Sequence, residues 1–314
     1  MRILITGVHG FVGSNLVEAL KKEHTIYGLD IVSPQKEGVN KTFSWEELEK
    51  GLIPDVDAII HLAGKAHDTK NKSAAEVYFK VNTGLTKKIF DYFLAHDSIK
   101  KFVFFSTAKA AADRVEGILT EDVVPTPVGP YGESKIKAEE YIIKNEKLRI
   151  KNGQSVYIFR PCMIHGPGNK GNLNLLYNVV KIGIPWPLGA FENSRTFTSV
   201  ENICFAVHGV LTKDVPSGIY NMGDDEALST NELIEEICKS LGKKAHIWRL
   251  PKGVMTGVAK LGGILHLPLN PDRLQKLTEN YVSSNAKIKQ ALGIDKMPVD
   301  AREGLQRTLE SFKE

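Results

Sequence analysis

The sequence has 314 residues, which is enough for one large domain or two of ordinary size, with a substantial hydrophobic core. Hydrophobic residues make up 42% and charged residues 25%, close to the average of globular proteins, so disordered and fibrous classes are excluded. The net charge of +4 is too small for the basic footprint of a nucleic-acid-binding protein.

The first half of the chain alternates short apolar segments with longer helical patterns. The predicted strands cover residues 2–6, 25–30, 58–63, 102–106 and 155–159, and the predicted helices cover 11–22, 74–95 and 133–147. The stretch 33–54 is less regular, and we predict a short edge strand at 42–45 followed by a helix. Strands that are apolar on consecutive residues are typical of parallel sheets covered on both faces. This alternation predicts an α/β fold with a doubly wound parallel sheet of the Rossmann type.

The character of the sequence changes after the fifth predicted strand. Proline and glycine cluster at 160–171 and 183–189, and helical patterns follow at 200–211, 229–241 and 302–312. A strand at 219–222 is expected to return to the main sheet. We therefore predict a dinucleotide-binding Rossmann domain at 1–165, with a return segment at about 200–223. Residues 166–199 and 224–314 are predicted to form a smaller, mixed α/β lobe that binds the substrate.

Several features predict a cytoplasmic protein that is not inserted into a membrane. No apolar run approaches the roughly 20 residues that cross a bilayer. The nearest run, 253–268, contains Lys260 and is predicted to be a helix that packs on the core. The N-terminal apolar segment is too short for a signal peptide. Cys162, Cys204 and Cys238 lie on apolar segments, at spacings unlike a metal site, and are expected to be buried thiols in a reducing compartment.

A glycine-rich turn joins the first strand to the first helix. Gly7 allows a sharp turn, Gly10 allows the backbone to approach a diphosphate, and Gly13 allows the helix to pack closely on the sheet. The free N–H groups at the start of the helix, where Phe11 and Val12 lie, are suited to hold phosphates. The pattern predicts a dinucleotide-binding turn, because it lies between a strand and a helix within a βαβ unit.

The end of the second strand indicates which dinucleotide binds. Asp30 lies there, where a carboxylate accepts hydrogen bonds from ribose hydroxyls and repels a 2′-phosphate. We therefore expect NAD as the cofactor in preference to NADP.

The motifs together resemble the extended short-chain dehydrogenases/reductases, the nucleotide-sugar epimerase and dehydratase family. The resemblance spans essentially the whole chain. It rests on Thr6-Gly7-x-x-Gly10-Phe11-x-Gly13, His61-Leu62-Ala63-Gly64, Asn82, Ser106-Thr107, Tyr131-x-x-x-Lys135, Arg160-Pro161 and Gly166-Pro167. It implies that Leu62, Ala63, Gly64, Asn82 and Pro161 contact the cofactor, together with Tyr131 and Lys135.

Tyr131 and Lys135 lie four residues apart at the start of a predicted helix and therefore share one face. A phenol with a pKa of about 10 needs about 4 kcal/mol of differential stabilisation to act as a base near pH 7. One ammonium about 4 Å away supplies roughly that amount at an effective dielectric constant of 20. We therefore predict that Lys135 lowers the pKa of Tyr131, and that Tyr131 is the general acid and base for a sugar hydroxyl.

Thr107 is predicted to hydrogen-bond the same substrate oxygen, with Ser106 sharing this role. Family dehydratases resemble one another in carrying an acidic pair directly after this position, whereas this chain has Ala108 and Lys109. The departure predicts that the protein is not a 4,6-dehydratase. Lys109 itself is expected to be a solvated loop lysine, with contact to the substrate as the alternative.

The resemblance implies a second set of contacts, to a sugar nucleotide. Asn172 is similar to a family asparagine that contacts the nucleotide, and Arg195 and Arg273 match family arginines that bind the diphosphate. Fixed cations are suited to a dianionic diphosphate. No metal ion is expected.

The resemblance therefore implies an oxidoreductase that acts at C4 of a UDP-hexose or UDP-N-acetylhexosamine, as in a subgroup of bacterial polysaccharide enzymes. A 4-epimerase and a 4-ketoreductase need the same acid and base, so both remain open. A non-catalytic, dinucleotide-sensing protein of the same fold is the alternative. The resemblance also predicts a homodimer formed through the helices at 74–95 and 133–147.

Overall fold

The computed structural model describes residues 1–65, 74–149, 153–169, 171–265 and 269–313. Its strands are β1 (Arg2–Thr6), β2 (Thr25–Leu29), β3 (Thr42–Phe43), β4 (Ala58–His61), β5 (Lys101–Phe105), β6 (Ile118–Leu119), β7 (Ser155–Pro161), β8 (Met163–His165), β9 (Arg195–Ser199), β10 (Gly218–Met222), β11 (Ala227–Leu228) and β12 (Val282–Ser283).

A π-helical turn (Phe79–Gly84) and α-helices connect these strands. The helices are α1 (Phe11–Leu20), α2 (Trp45–Glu49), α3 (Ala75–Tyr78), α4 (Leu85–Ala95), α5 (Ala108–Ala111), α6 (Gly129–Arg149), α7 (Asn172–Lys181), α8 (Val200–Thr212), α9 (Thr230–Ser240), α10 (Lys252–Ile264), α11 (Pro271–Thr278), α12 (Ala286–Leu292) and α13 (Ala301–Ser311).

The main sheet has seven strands in the order β10-β7-β5-β4-β1-β2-β3, and every neighbouring pair is parallel. The chain builds outward from β1 to β3 and then returns to add β4 on the other side of β1. This reversal places a crevice at the carboxyl ends of β1 and β4, which is where ligands bind in open α/β sheets. The doubly wound Rossmann-type sheet predicted from the sequence is confirmed.

The central strands are apolar on consecutive residues because both faces of the sheet are covered. In β1, Ile3 and Ile5 belong to the core beneath α1, α8 and α12, whereas Leu4 belongs to the core beneath α4 and α6. In β5, Val103 faces the first core and Phe104 the second. Successive side chains point to opposite faces of a strand, so a strand covered twice must be apolar throughout.

A third core belongs to the C-terminal lobe, where α7, α9, α10 and α13 pack against a small sheet of order β11-β9-β8. As predicted, the segment 219–222 returns to the main sheet, as part of β10. Ile288 and Leu292 of α12 pack into the first core rather than the third, although α12 lies within the predicted C-terminal lobe. The domain boundaries otherwise remain a prediction.

The helix expected at 253–268 is α10, and it packs on the third core as predicted. It buries only Met255, Ala259 and Gly262, so this packing is limited to one narrow stripe. Pro268, at the end of the predicted segment, lies outside the described residues. No helix in the described part of the chain is long and apolar enough to span a membrane.

The cysteines are free thiols. Cys162 and Cys238 are buried as predicted, whereas Cys204 is only half-buried, against the first core. Burial raises the pKa of Cys162 to about 12, which suits a packing role and not a nucleophilic one.

Candidate active site

The glycine turn after β1 is held against the loop that follows β4. Gly7 has a φ of 70°, and a Cβ there would lie 2.9 Å from the backbone nitrogen of Ala63. A Cβ on Gly13 would lie 2.4 Å from the carbonyl oxygen of Gly7. Both glycines are therefore required, the first by its left-handed backbone and the second by close packing.

The start of α1 can accept a diphosphate. Its N-cap residue is Gly10, which supplies no side-chain cap to the first N–H groups of the helix. These groups, at Phe11 and Val12 among others, face a helix end that carries partial positive charge. Because Gly10 has no side chain to cover these groups, a phosphate can come close to them, and the turn fits a dinucleotide cofactor.

Asp30 lies directly beside this turn, at the end of β2. Its Oδ2 accepts a hydrogen bond from the backbone N–H of His9 at 3.1 Å, and its Oδ1 accepts one from Ile31 at 2.8 Å. The carboxylate is thus fixed next to the glycine turn, as a ribose-binding residue must be. His9 contributes through its backbone, a role that its side-chain chemistry could not have indicated.

A hydrogen-bonded chain fixes the loop after β4. The Thr6 hydroxyl oxygen accepts from the N–H groups of Leu62 and Ala63 at 3.1 and 3.0 Å, and it lies 2.7 Å from Nδ1 of His61. Nε2 of His61 lies 2.9 Å from the hydroxyl of Thr86. Burial lowers the pKa of His61 well below its usual value, with Lys135 acting in the same direction. His61 is therefore neutral and positions the loop.

Asn82 joins this loop to the helix that carries Tyr131. Its Oδ1 accepts from the backbone N–H of Lys65 at 2.7 Å, and its Nδ2 donates to the Ser134 hydroxyl at 2.9 Å. A Cβ on Gly64 would lie 2.9 Å from Oδ1 of Asn82 and 3.3 Å from Nζ of Lys135. The predicted cofactor residues Gly64 and Asn82 therefore meet Lys135 in one place.

Thr107 and Tyr131 form the centre of the site. Thr107 ends the segment after β5, and its hydroxyl is hydrogen-bonded to the Tyr131 phenol. Burial raises the pKa of Tyr131, the hydrogen bond to Thr107 opposes that shift, and Tyr78 adds to it. The rings of Tyr78 and Tyr131 lie edge to face, with centroids 6.3 Å apart. The phenol is therefore protonated near pH 7.

The sequence predicts that Lys135 lowers the pKa of Tyr131, and the structure corrects this prediction. The ammonium of Lys135 donates to the backbone carbonyl of Phe105 at 2.8 Å, and Lys135 is not among the groups that shift the pKa of Tyr131. Burial instead lowers the pKa of Lys135 itself to about 8, against the opposing charge of Glu139. The protein alone thus favours the phenol over the phenolate at residue 131.

The sequence predicts that Ser106 shares with Thr107 the hydrogen bond to the substrate oxygen, but the Ser106 hydroxyl is engaged elsewhere. It donates to the Glu139 carboxylate, which also binds the Arg160 guanidinium. Thr107 is therefore the hydroxyl beside Tyr131, and Ser106 belongs to the buried network behind it. Sequence reasoning missed Glu139, although its position four residues after Lys135 on the same helix face was a usable signal.

Lys109 connects the site to the C-terminal lobe. It is half-buried in α5, not a solvated loop residue as expected, because its Nζ lies 3.2 Å from Asp113, 3.8 Å from Glu279 and 4.7 Å from the centre of the Tyr281 ring. Burial lowers the pKa of Arg195, and Glu279 opposes that shift. Lys109 and Arg195 therefore approach the same carboxylate.

The remaining predicted residues lie further from Tyr131 along the chain. Pro161 ends β7 and pairs with Met222 of β10. Asn172 begins α7 and Arg273 lies in α11, both at exposed positions. Their contacts with a substrate remain predictions.

Among the described residues, Glu23, His24 and His208 form a group that could hold a metal ion, with ligand atoms within 4.8 Å of one another. Glu23 and His24 precede β2, so the group lies at the amino edge of the main sheet. The crevice that holds Tyr131 is at the opposite edge, so this group takes no part in the site.

A model of the NAD-dependent epimerase/dehydratase family matches residues 3–223, which include the glycine turn, Thr107, Tyr131 and Lys135. The chain belongs to this family. NAD is therefore its cofactor, in agreement with the fit of the glycine turn and Asp30.

The epimerase/dehydratase family assignment agrees with individual relatives. The chain is 30% identical to a UDP-glucose 4-epimerase of Vibrio cholerae, over 99% of this chain and 95% of the relative. It is 26% identical to an N-acetyl-α-D-glucosaminyl-diphospho-ditrans,octacis-undecaprenol 4-epimerase of Escherichia coli O157:H7, over 98% and 94%. The crystal structure of a UDP-glucuronic acid 4-epimerase from Bacillus cereus in complex with NAD has the same fold, with a TM-score of 0.75, 21% identity and coverage of 100% and 99%.

Proposed function

We propose that this protein is an NAD-dependent 4-epimerase of a UDP-hexose or UDP-N-acetylhexosamine. The observation that carries the proposal is the hydrogen bond between Thr107 and Tyr131, next to the turn that fits NAD. The near full-length similarity to the Vibrio cholerae UDP-glucose 4-epimerase supports the choice of reaction.

In the proposed reaction, Tyr131 is ionised with the positive charge of oxidised NAD beside it, so that it can accept the proton of the C4 hydroxyl and return it when the hydride comes back to C4. Bound NAD supplies the hydride acceptor and donor for C4. Thr107 holds the C4 oxygen against the phenol, so that the proton has a short path. The glycine turn binds the diphosphate of NAD, and Asp30 binds its ribose. Lys135 lies close enough to Gly64 and Asn82 to orient the cofactor's other ribose.

We also propose that Arg195 and Arg273 bind the diphosphate of the sugar nucleotide and that Asn172 contacts its nucleotide. Arg195 is suited to this role because it is half-buried, where charge–charge contacts are stronger than in open solvent. The Escherichia coli relative, by its name, acts on a sugar diphosphate of undecaprenol, so a polyprenyl diphosphate sugar belongs in the substrate panel.

A 4-ketoreductase is the second candidate. It is favoured by the raised pKa of Tyr131, because a protonated phenol is the form that donates to a 4-keto oxygen.

We do not propose a 4,6-dehydratase, because Ala108 and Lys109 follow Thr107. The two carboxylates nearest to Lys109, those of Asp113 and Glu279, are paired with its ammonium. A cytoplasmic location and a homodimer remain predictions.

The deciding experiment incubates the purified protein with UDP-glucose, UDP-N-acetylglucosamine or a polyprenyl diphosphate sugar, without added reductant. An epimerase interconverts the C4 isomers under these conditions, whereas a ketoreductase needs a 4-keto sugar and one equivalent of NADH. If product appears only with stoichiometric reductant, the protein is a 4-ketoreductase and the epimerase proposal is wrong.

Tyr131→Phe tests the assigned acid and base. We expect the variant to bind NAD like the wild type and to lose kcat by a hundredfold or more, roughly the contribution of a positioned proton donor. Tyr141→Phe is the matched control, because Tyr141 lies on the same helix and its hydroxyl donates to Asp91 at 2.8 Å, away from the site. Equal turnover in Tyr131→Phe and Tyr141→Phe would contradict the mechanism. It would also remove the evidence that distinguishes an enzyme from a non-catalytic NAD sensor.

A further inference from the structure

One face of α10 exposes a continuous apolar stripe. Val254, Val258, Leu261 and Leu265 are 55%, 47%, 56% and 58% exposed, and their spacing places them on one side of the helix. The buried stripe of Met255, Ala259 and Gly262 lies next to it. α10 is therefore apolar over a wider arc than the lobe covers, which is unusual for a surface helix.

Further exposed apolar side chains lie close to the stripe in the sequence. Ile264 is 74% exposed beside the stripe, and Trp248 and Leu250 are 54% and 36% exposed in the segment that leads into the helix. We call Trp248, Leu250 and the exposed apolar residues of 254–265 the α10 surface. A contiguous exposed apolar surface marks a site of interaction with another molecule or with a membrane.

The charge of the surrounding sequence distinguishes between a protein partner and a membrane. From Lys239 to Pro271 the chain contains six lysines and arginines and no aspartate or glutamate. The whole chain has a net charge of only +4, so this stretch is basic while the remainder of the protein is slightly acidic. Lys252 and Lys260, on α10 itself, are both exposed.

A second copy of this chain does not fit such a surface. A two-fold contact through α10 would bring the same cations of both copies together, without carboxylates from this stretch to pair with them. An anionic lipid surface provides the complementary charge, and it also accepts the apolar stripe and an exposed tryptophan.

We propose that the α10 surface binds the face of a bilayer that contains anionic lipids. The apolar stripe enters the boundary between headgroups and acyl chains, the indole of Trp248 lies at the same level, and the lysines contact lipid phosphates. With 13 residues, α10 lies in the interface and does not cross the bilayer. The proposal goes beyond the reaction and does not depend on which sugar is the substrate.

Co-sedimentation with vesicles tests this proposal. The purified full-length protein is mixed with vesicles of phosphatidylglycerol and phosphatidylcholine, or of phosphatidylcholine alone. We expect binding to the anionic vesicles that weakens at least tenfold with the neutral vesicles or at high salt. Val258→Glu/Leu261→Glu should reduce anionic-vesicle binding at least tenfold, while circular dichroism and NAD binding stay like the wild type.

Leu52→Glu is the matched control, because Leu52 is 56% exposed, like Leu261, but follows α2 in the Rossmann part of the chain. It should bind vesicles like the wild type. A second, independent readout is the fluorescence of Trp248, which should shift to the blue on anionic vesicles and lose that shift in Trp248→Phe.

Two results would overturn the proposal. One is a wild-type protein that stays in the supernatant with anionic vesicles, or a glutamate variant that binds them as well as Leu52→Glu does. The other is a dimer, measured by light scattering, that Val258→Glu/Leu261→Glu dissociates without any vesicle binding by the wild type, because the surface would then be an interface between copies. Neither result bears on the turnover of Tyr131→Phe, so the proposed reaction is tested independently of this surface.

Discussion

Glu139 and Arg160 form an ion pair in the interior, with Nη2 of Arg160 2.6 Å from Oε2 of Glu139 and side-chain exposures of 0% and 2%. The same carboxylate accepts a hydrogen bond from the Ser106 hydroxyl and raises the pKa of Lys135 against the effect of burial. Tyr131, Lys135 and Glu139 are spaced by four residues on α6, so the network lies directly behind the candidate site. The charge on Lys135 thus depends on a carboxylate that is buried behind the candidate site.

Removing the charge of Glu139 should destabilise the protein. Glu139→Gln leaves the guanidinium of Arg160 buried without its counter-charge, and we expect the free energy of unfolding to fall by about 3 kcal/mol. Urea unfolding measures this change. Glu140→Gln is the control, because Glu140 forms an exposed pair with Lys137, and its loss should cost less than about 1 kcal/mol. Equal stability of the two variants would mean that the buried pair contributes nothing.

The lowered pKa of Lys135 predicts a pH dependence of stability. Burial lowers the pKa of Lys135 from 10.5 to about 8 in the native state. Between these pH values the unfolded chain binds the proton more strongly, so the contribution of Lys135 to the unfolding free energy rises with pH in this window. Below about pH 8 the cost of burying the charged lysine is fully present.

The measurement compares the wild type with Lys135→Met by chemical unfolding at pH 7.5, 8.5 and 9.5. The wild type should gain stability relative to the variant as the pH rises, by up to roughly 3 kcal/mol over the full window. Lys137→Met, on the exposed side of the same helix, should show no such trend. A difference that is constant with pH would place the pKa of Lys135 near its ordinary value.

Much of the fold could be predicted because periodicity and local chemistry agree. The strands of the main sheet are apolar on consecutive residues, and the glycine turn lies where a βαβ unit requires it, so both were found. Asp30 is predicted from its place at the end of a strand, whereas Asn82 and Thr107 are predicted from the order of the family motifs along the chain. These signals are local in sequence, and tertiary packing did not override them.

Other features depend on contacts between distant segments. The sequence shows that the segment after Gly253 is apolar, but not that the lobe covers only the stripe of Met255 and Ala259. It also shows that Lys135 follows Tyr131 at helical spacing, but not that the Lys135 ammonium donates a hydrogen bond to the carbonyl of Phe105. Burial then raises the pKa of Tyr131, where proximity to a cation alone predicted the opposite direction.

Gly13 tests the packing of the dinucleotide turn. A Cβ there would lie 2.4 Å from the carbonyl oxygen of Gly7 and 2.9 Å from Cα of Val8, and backbone on both sides cannot move away easily. Gly13→Ala should therefore lower the free energy of unfolding by about 2 kcal/mol or more, and weaken NAD binding. Gly257→Ala is the control in α10, where a Cβ meets open space, and it should raise stability by up to about 1 kcal/mol. A Gly13→Ala protein as stable as the wild type would contradict the close packing.

Asp30 tests the predicted preference for NAD over NADP. Asp30→Asn keeps the size of the side chain and removes the charge that opposes a 2′-phosphate, so the ratio of the two dissociation constants should shift by about tenfold toward NADP, or roughly 1.4 kcal/mol. Nucleotide titrations monitored by protein fluorescence measure both constants. NAD should itself bind more weakly, because an amide nitrogen cannot accept from the N–H of His9 or from a ribose hydroxyl. Asp55→Asn, at an exposed position outside the turn, should leave both constants unchanged. If Asp30→Asn also leaves their ratio unchanged, the cofactor preference arises elsewhere and the ribose contact assigned to Asp30 is wrong.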